Sequence, residues 1–329
     1  MQFRHVSAAY VLMLIAALFA PAALAQQDKV DKQVFQLPDG AFPHDVAPAP
    51  DGKVWYAAQH NGAIGILDPV AGNWREIKLG PNSAPHGVIQ GPDGAAWLTD
   101  GGQNAIVRFD PETEKITVWK LPKDTGNANL NTGVFDQNGI HWFTGQNGIY
   151  GRLNPKTGEM KVWKSPGGRG PYGITVTPQG DVYYASLAGN HIARIDPKTG
   201  EAAMIAPPTK GQGARRVWSD SKGRIWVSEW NAGQLGLYDP ATKNWKEWKL
   251  PGASPQAYAV YVDERDIVWV SDWGADQIVS FDPTTEKFTT TPSSKGANVR
   301  QILGRPGEVW FAESGSDSLM VIRTSPAKP

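Results

Sequence analysis

Apolar and β-branched residues along this chain come in short runs broken by turn residues, and no heptads or helical stripes are visible. The stretch after residue 84 shows the pattern. Runs at 86–89, 96–99, 105–109 and 116–119 read as four strands. Asp93-Gly94 turns the first hairpin, and Asp110-Pro111 precedes the fourth run.

The pattern repeats. A strand aromatic recurs at Trp55, Trp97, Trp142, Tyr183, Trp226, Trp269 and Trp310, at steps of 42, 45, 41, 43, 43 and 41 residues. Asp-Pro or Asn-Pro turns at Asp68, Asp110, Asn154, Asp196, Asp239 and Asp282 keep the same step. So do prolines ending a strand at Pro38, Pro81, Pro122, Pro166, Pro208, Pro251 and Pro292. Four strands in roughly forty residues is the signature of a propeller blade. The sequence therefore predicts an all-β, seven-bladed β-propeller. Its seventh unit has only three strands and ends near Ile322, whereas residues 34–38 resemble a fourth strand. The N-terminal strand is expected to complete the last blade, leaving no open edge.

The marker aromatics read as core between blades. They also index two rings expected at one mouth of the central channel, a usual place for ligands. The first ring is His44, His86, Asn131, Tyr172, Arg215, Tyr258 and Arg300; the second is Ala58, Asp100, Gly145, Ser186, Glu229, Asp272 and Glu313. Structural residues keep step with the repeat, but these positions vary from blade to blade, as a specific site would. His44 and His86 are candidate acid–base groups near neutral pH, with Asp100 placed to orient His86. Arg215 and Arg300 suit a carboxylate or an oxyanion, beside Asn131, Tyr172 and Tyr258 as substrate contacts. Glu229, Asp272 and Glu313 come from successive blades and suit a hard cation, Mg²⁺ or Ca²⁺. The alternative is that these carboxylates only neutralise the arginines. His60, His141 and His191 fall outside the rings and read as structural.

Composition adds limits. Arg4 and His5, the apolar residues 11–20 and Ala23-Leu24-Ala25 make a secretory signal peptide over 1–25, cleaved after Ala25. The expected mature chain, residues 26–329, is a single domain in the periplasm or secreted, with no membrane insertion. Cysteine is absent, which excludes disulfides, thiol nucleophiles, thiolate metal sites and covalently attached haem. Lys plus Arg equal Asp plus Glu at 32 each, so no nucleic-acid partner is indicated. Phosphate loops, nucleophile elbows and zinc-helix motifs are missing, and no nucleotide is expected. A closed propeller leaves no strand in need of a partner, so a monomer is expected.

Some segments carry a resemblance: Ala84-Pro85-His86-Gly87-Val88, Gly170-Pro171-Tyr172-Gly173-Ile174, Trp142-Phe143-Thr144-Gly145, Trp310-Phe311-Ala312-Glu313 and Gly151-Arg152-Leu153. Across all seven repeats the chain resembles the virginiamycin B lyase (streptogramin lyase) family. That resemblance implies opening of a cyclic depsipeptide by β-elimination with Mg²⁺. It implies a histidine in the sixth blade, a Glu-x-His pair in the seventh and a glutamate just beyond. Here those places hold Tyr258, Asn298-Val299-Arg300 and Ser314, with Glu313 adjacent. The expected function is thus a metal-assisted lyase acting on a small ester, lactone or cyclic (depsi)peptide other than streptogramin. The alternatives are a non-catalytic ligand- or protein-binding propeller, and a lactonase of gluconolactonase type, whose six-bladed plan fits seven repeats poorly.

Overall fold

The computed structural model describes residues 30–324, so the expected signal peptide lies outside the described residues. Seven four-stranded antiparallel sheets stand in a ring, each following chain order from the channel outward except the last. The second blade has strands Pro85–Gln90, Ala96–Asp100, Ala105–Phe109 and Ile116–Lys120, matching the runs read from the sequence. The innermost strands touch their neighbours all the way round, Pro43–Pro48 meeting both Pro85–Gln90 and Val299–Arg305.

Closure occurs as expected. The strand Asp31–Gln36 pairs with Ser318–Arg323 and becomes the outer strand of the seventh blade. Phe35 buries itself there and stacks on Trp310 at 5.7 Å between centroids. Asp317 fastens the following loop, its carboxylate accepting from the Gly40 and Phe42 amides at 2.8 and 2.7 Å.

The marker aromatics are core, and an acid explains their recurrence. The indole N–H of Trp97, Trp142, Trp226 and Trp269 donates to Asp93, Asp136, Asp220 and Asp263 at 2.9–3.0 Å. Each indole thus keeps its one donor satisfied while buried. Those aspartates also cap the turn between the first two strands, as where Asp136 accepts from Asn138 and Ile140.

Every innermost strand carries a register break near its start. In the first blade Pro43 pairs with Ala58 and Val46 with Tyr56, which leaves two residues, His44 and Asp45, opposite the single Ala57. The same break occurs at 85/87, 130/133, 171/174, 214/216, 257/260 and 299/302. Such a bulge re-aims a side chain. Here it places the first-ring residues at the channel mouth. Gly87 and Gly173 follow two of them because a Cβ would lie 2.9 Å from the Asn131 carbonyl oxygen and 2.7 Å from Arg216 Cα on the next blade.

The bulges are braced across blades. Thr99, Thr144, Ser228 and Ser271, two residues past the marker aromatic, each accept from a bulge amide of their own blade. Each then donates to a mouth-strand carbonyl of the next blade, at Asn131, Tyr172, Tyr258 and Val299. A single Ser or Thr in the second strand of each of these four blades thereby ties the bulge of its own blade to the mouth strand of the next.

Candidate active site

The first ring assembles as the sequence predicts. The His44 and His86 rings lie 3.5 Å apart between centroids, and Tyr172 meets His86 edge-on at 6.0 Å. The hydroxyls of Tyr172 and Tyr258 are 2.5 Å apart. Arg215 donates to the Tyr172 hydroxyl at 3.2 Å and Arg300 to that of Tyr258 at 3.3 Å. Residues from blades one, two, four, five, six and seven thus meet at one place.

A second layer, unforeseen from the sequence, sits directly below. Asp45, Thr132 and Arg216 each follow a ring residue, and the bulge turns them inward as well. Arg216 reaches from the fifth blade across to the first and binds both Asp45 oxygens, at 2.7 and 3.3 Å. Its other donor contact is Thr132 Oγ1 at 2.9 Å. Side chains of all three are buried.

This layer sets the tautomers of the histidines. Both Asp45 oxygens accept from Arg216, so the 2.9 Å contact with His44 Nδ1 is an N–H donated to Asp45. The Nε2 of His44 keeps its lone pair and makes no hydrogen bond among the described residues. On the other side Thr132 Oγ1 receives the Arg216 proton and donates to Asn131 Oδ1 at 2.8 Å. The Asn131 amide must then present N–H to His86 Nε2, 3.0 Å away. His86 therefore carries its proton on Nδ1, which is sealed from solvent and has no protein acceptor. One imidazole is left as an open base, and the other is a fixed support beneath it.

Both rings are neutral at physiological pH. Burial drives the His44 pKa well below its ordinary value, helped by the positive charges of Arg300, Arg216 and Arg215. Burial does the same for His86, with His44, Arg216 and Arg300 adding to it against an upward pull from Asp45. A general base must be unprotonated to act, and this environment keeps His44 so.

Two arginines face the mouth without an acid. Arg215 packs against Tyr258, Tyr172 and Trp230, with its guanidinium carbon 3.6, 4.7 and 4.7 Å from the ring centroids. Arg300 lies against Phe42 and Trp273 at 4.8 and 5.0 Å. Neither forms an ion pair among the described residues. Aromatic faces hold the guanidinium planes, leaving N–H edges for a planar anion.

Several expectations need correction. Asp100 does not orient His86; its carboxylate accepts from Ser83, the Ala84 and Gln103 amides and the Gln103 side chain. Asn131 fills that role instead. The second ring as a whole is not a mouth ring, because its members pair in the ladder with the residue before the bulge, as Asp100 does with Pro85. The carboxylates of Asp100, Asp272 and Glu313 are spent on loops and side chains near their own strands. Asp272 accepts from the Gln256 and Gly274 amides and the Gln277 side chain, and Glu313 from Ser294 and Ser318. Glu229 is buried with no partner on either oxygen among the described residues, and burial with the nearby Glu247 charge pushes its pKa up to about 8. Nor do the carboxylates neutralise the mouth arginines.

The Mg²⁺ implied by the resemblance finds no matching donor set here. Glu229, Asp272 and Glu313 form no such cluster among the described residues, and the carboxylates of Asp272 and Glu313 are already taken by their own loops. His44, Asp45 and His86 do place ligand atoms within 4.8 Å, yet Asp45 already faces the Arg216 cation and His86 Nε2 is taken by Asn131. His60, expected to be remote, stacks on Phe42 at 3.9 Å and so backs a wall of the mouth. His141 and His191 stay away from it, His141 buried between Trp97 and Phe135.

The fold is shared widely with solved structures. A virginiamycin B lyase from Staphylococcus aureus superposes with a TM-score of 0.83 at 21% identity, covering 90% of this chain and 100% of its own. A streptogramin B lyase gives 0.81 at 23%, covering 89% and 97%. The extracellular domain of a hybrid two-component system from B. thetaiotaomicron gives 0.70 at 12%, covering 88% of this chain and 41% of its own. No curated protein matches. The model of the virginiamycin B lyase family matches residues 22–244, ending before the blades that hold Tyr258 and Arg300. With that match spanning well over half of the sequence, the chain belongs to the virginiamycin B lyase family.

Proposed function

We propose that this chain is an exported acid–base lyase whose substrate is a small ester, lactone or cyclic depsipeptide bound at the propeller mouth. The observation that carries the reading is the Asp45–His44 pair, with Nε2 left as a free, neutral base beside two arginines that have no acid of their own. In an elimination, a base removes the proton α to a carbonyl while cationic donors stabilise the charge that develops on oxygen. His44 supplies the base, and Arg215 and Arg300 supply the donors and hold an acyl or carboxylate group. Asp45, Asn131 and His86 position the imidazole. The acid–base centre is thereby rotated to blade one, relative to family members that keep histidines in blades six and seven.

The test is turnover. Purified protein is incubated with a panel of β-acyloxy esters, lactones and cyclic depsipeptides, and products are read by mass spectrometry. His44→Ala is expected to lower the rate by about 10²–10⁴, the usual worth of a general base, with little change in melting temperature. If the parent protein turns over no member, or His44→Ala keeps the rate, a second reading takes over, that of a ligand-binding propeller without catalysis. Its support is the replacement of the family's histidines by Tyr258 and Arg300.

A further inference from the structure

The mouth holds two buried phenols joined by a hydroxyl–hydroxyl contact of 2.5 Å, Tyr172 and Tyr258. Their protons can be counted. The pair has two O–H protons, and one of them lies between the two oxygens. Arg215 donates into the Tyr172 oxygen and Arg300 into the Tyr258 oxygen, so neither neighbour accepts. The second O–H proton has no acceptor among the described residues. A buried donor left unmade is destabilising. The arrangement persists without that cost only if the proton is lost or is given to a bound oxygen atom.

We propose that the Tyr172–Tyr258 pair is the proton donor of this site, delivering a proton to the oxygen atom of the bound acyl compound that leaves when the carbon–oxygen bond breaks. The inference rests on the lyase reading above and completes it, because His86 Nδ1 is sealed off and offers no acid. The step balances. His44 Nε2 takes the proton from carbon, and the C–H electrons become the new carbon–carbon double bond. The carbon–oxygen bond breaks with its electrons going to oxygen, and that oxygen takes the Tyr172 proton. Proton exchange with water then restores His44 and Tyr172, and nothing is oxidised or reduced.

The electrostatics agree. The charged and titratable groups facing Tyr172 are Arg215 and Arg216 from blade five, Tyr258 from blade six and His86 from blade two, with Arg300 reaching Tyr258. Burial alone raises the Tyr172 pKa, but Arg215, Arg216 and the Tyr258 hydrogen bond outweigh it and bring it below the usual phenol range. Burial and the Tyr172 charge push Tyr258 up to about 12. The two phenols are thus unlike, one releasing a proton readily and the other supporting it.

The experiment is a tyrosinate titration of the folded protein by ultraviolet absorbance, which needs no substrate. One tyrosine is expected to ionise below an ordinary phenol at about 10. Tyr172→Phe should remove that component. Tyr258→Phe and Arg215→Gln, which keep the packing but weaken the support, should move it upward. An absent low component in the parent protein, or one unchanged in Tyr172→Phe, overturns the proposal. Should Tyr172→Phe fail to fold, the shift in Arg215→Gln decides the matter alone. Failure here leaves the role of His44 standing, and an inactive panel leaves the phenol pair to be judged by its own titration.

Discussion

Arg216 crosses the channel to hold both oxygens of Asp45, joining the fifth blade to the first below the mouth. One ion pair thereby does two things: it bridges non-adjacent blades, and it fixes the Asp45 oxygens that accept from His44 Nδ1, so that His44 presents Nε2. Removing one partner leaves the other charge buried alone, at a cost of about 3–5 kcal/mol. Asp45→Asn should therefore unfold at clearly lower urea, and Asp45→Asn with Arg216→Met should recover part of the loss. Equal stability of Asp45→Asn and the parent protein would show that the pair contributes nothing to folding.

Acid should loosen the fold in a histidine-dependent way. His44, His86 and His141 all titrate below an unfolded value of about 6.5, with burial bringing His141 down to about 3. The unfolded chain then binds protons that the native state refuses. Their contribution is complete above pH about 6.5 and is lost as pH falls toward the native values, by up to about 1.4 kcal/mol per unit per group. His141→Phe, which leaves the mouth untouched, should flatten this slope in thermal melts between pH 6.5 and 4. An unchanged slope would remove His141 from the account.

Glu229 should act in the opposite direction. Its native pKa of about 8 stands above the ordinary carboxyl value of 4.5, so the folded state keeps a proton that the unfolded state gives up. Stability from this group is full below 4.5 and declines as pH rises through 8. Glu229→Gln should gain on the parent protein as pH rises from 6 to 9, as measured by urea midpoints. Parallel curves would mean that the carboxyl is not held neutral.

Closure by the N-terminal strand is testable at Phe35, buried against Trp310 at 5.7 Å. Phe35→Ala should cost about 3–5 kcal/mol, as large-to-small changes of buried aromatics do. A loss under 1 kcal/mol would indicate that the seventh blade holds without its outer strand.

The blades were legible because aromatics, Asp-Pro turns and strand-ending prolines all obey one period. The first ring followed from the same index, since every bulge falls at the same place in its repeat. The second layer did not. Strand alternation sends Asp45 and Arg216 away from the channel if His44 and Arg215 face it, and only the bulge brings two consecutive residues inward. The carboxylates Asp100, Asp272 and Glu313 were misread for the complementary reason, because they sit in regular ladder pairs and satisfy their own loops. One signal in the sequence had been available for the brace: Ser or Thr two residues after the aromatic, at Thr99, Thr144, Ser228 and Ser271. Trp230 and Trp273, which wall the arginines, also offered a signal, each standing four residues past its marker aromatic in successive blades, whereas Phe42 has no aromatic counterpart before the second mouth strand.

The most direct measurement is calorimetric titration of the protein with an N-acylated amino acid and, in parallel, with its neutral amide. The account predicts that the carboxylate binds, that the amide binds at least about tenfold more weakly, a difference of about 1.4 kcal/mol, and that Arg215→Gln with Arg300→Gln abolishes the preference. Equal binding of acid and amide, or a preference that survives loss of both arginines, would contradict a mouth built to hold an anionic acyl group.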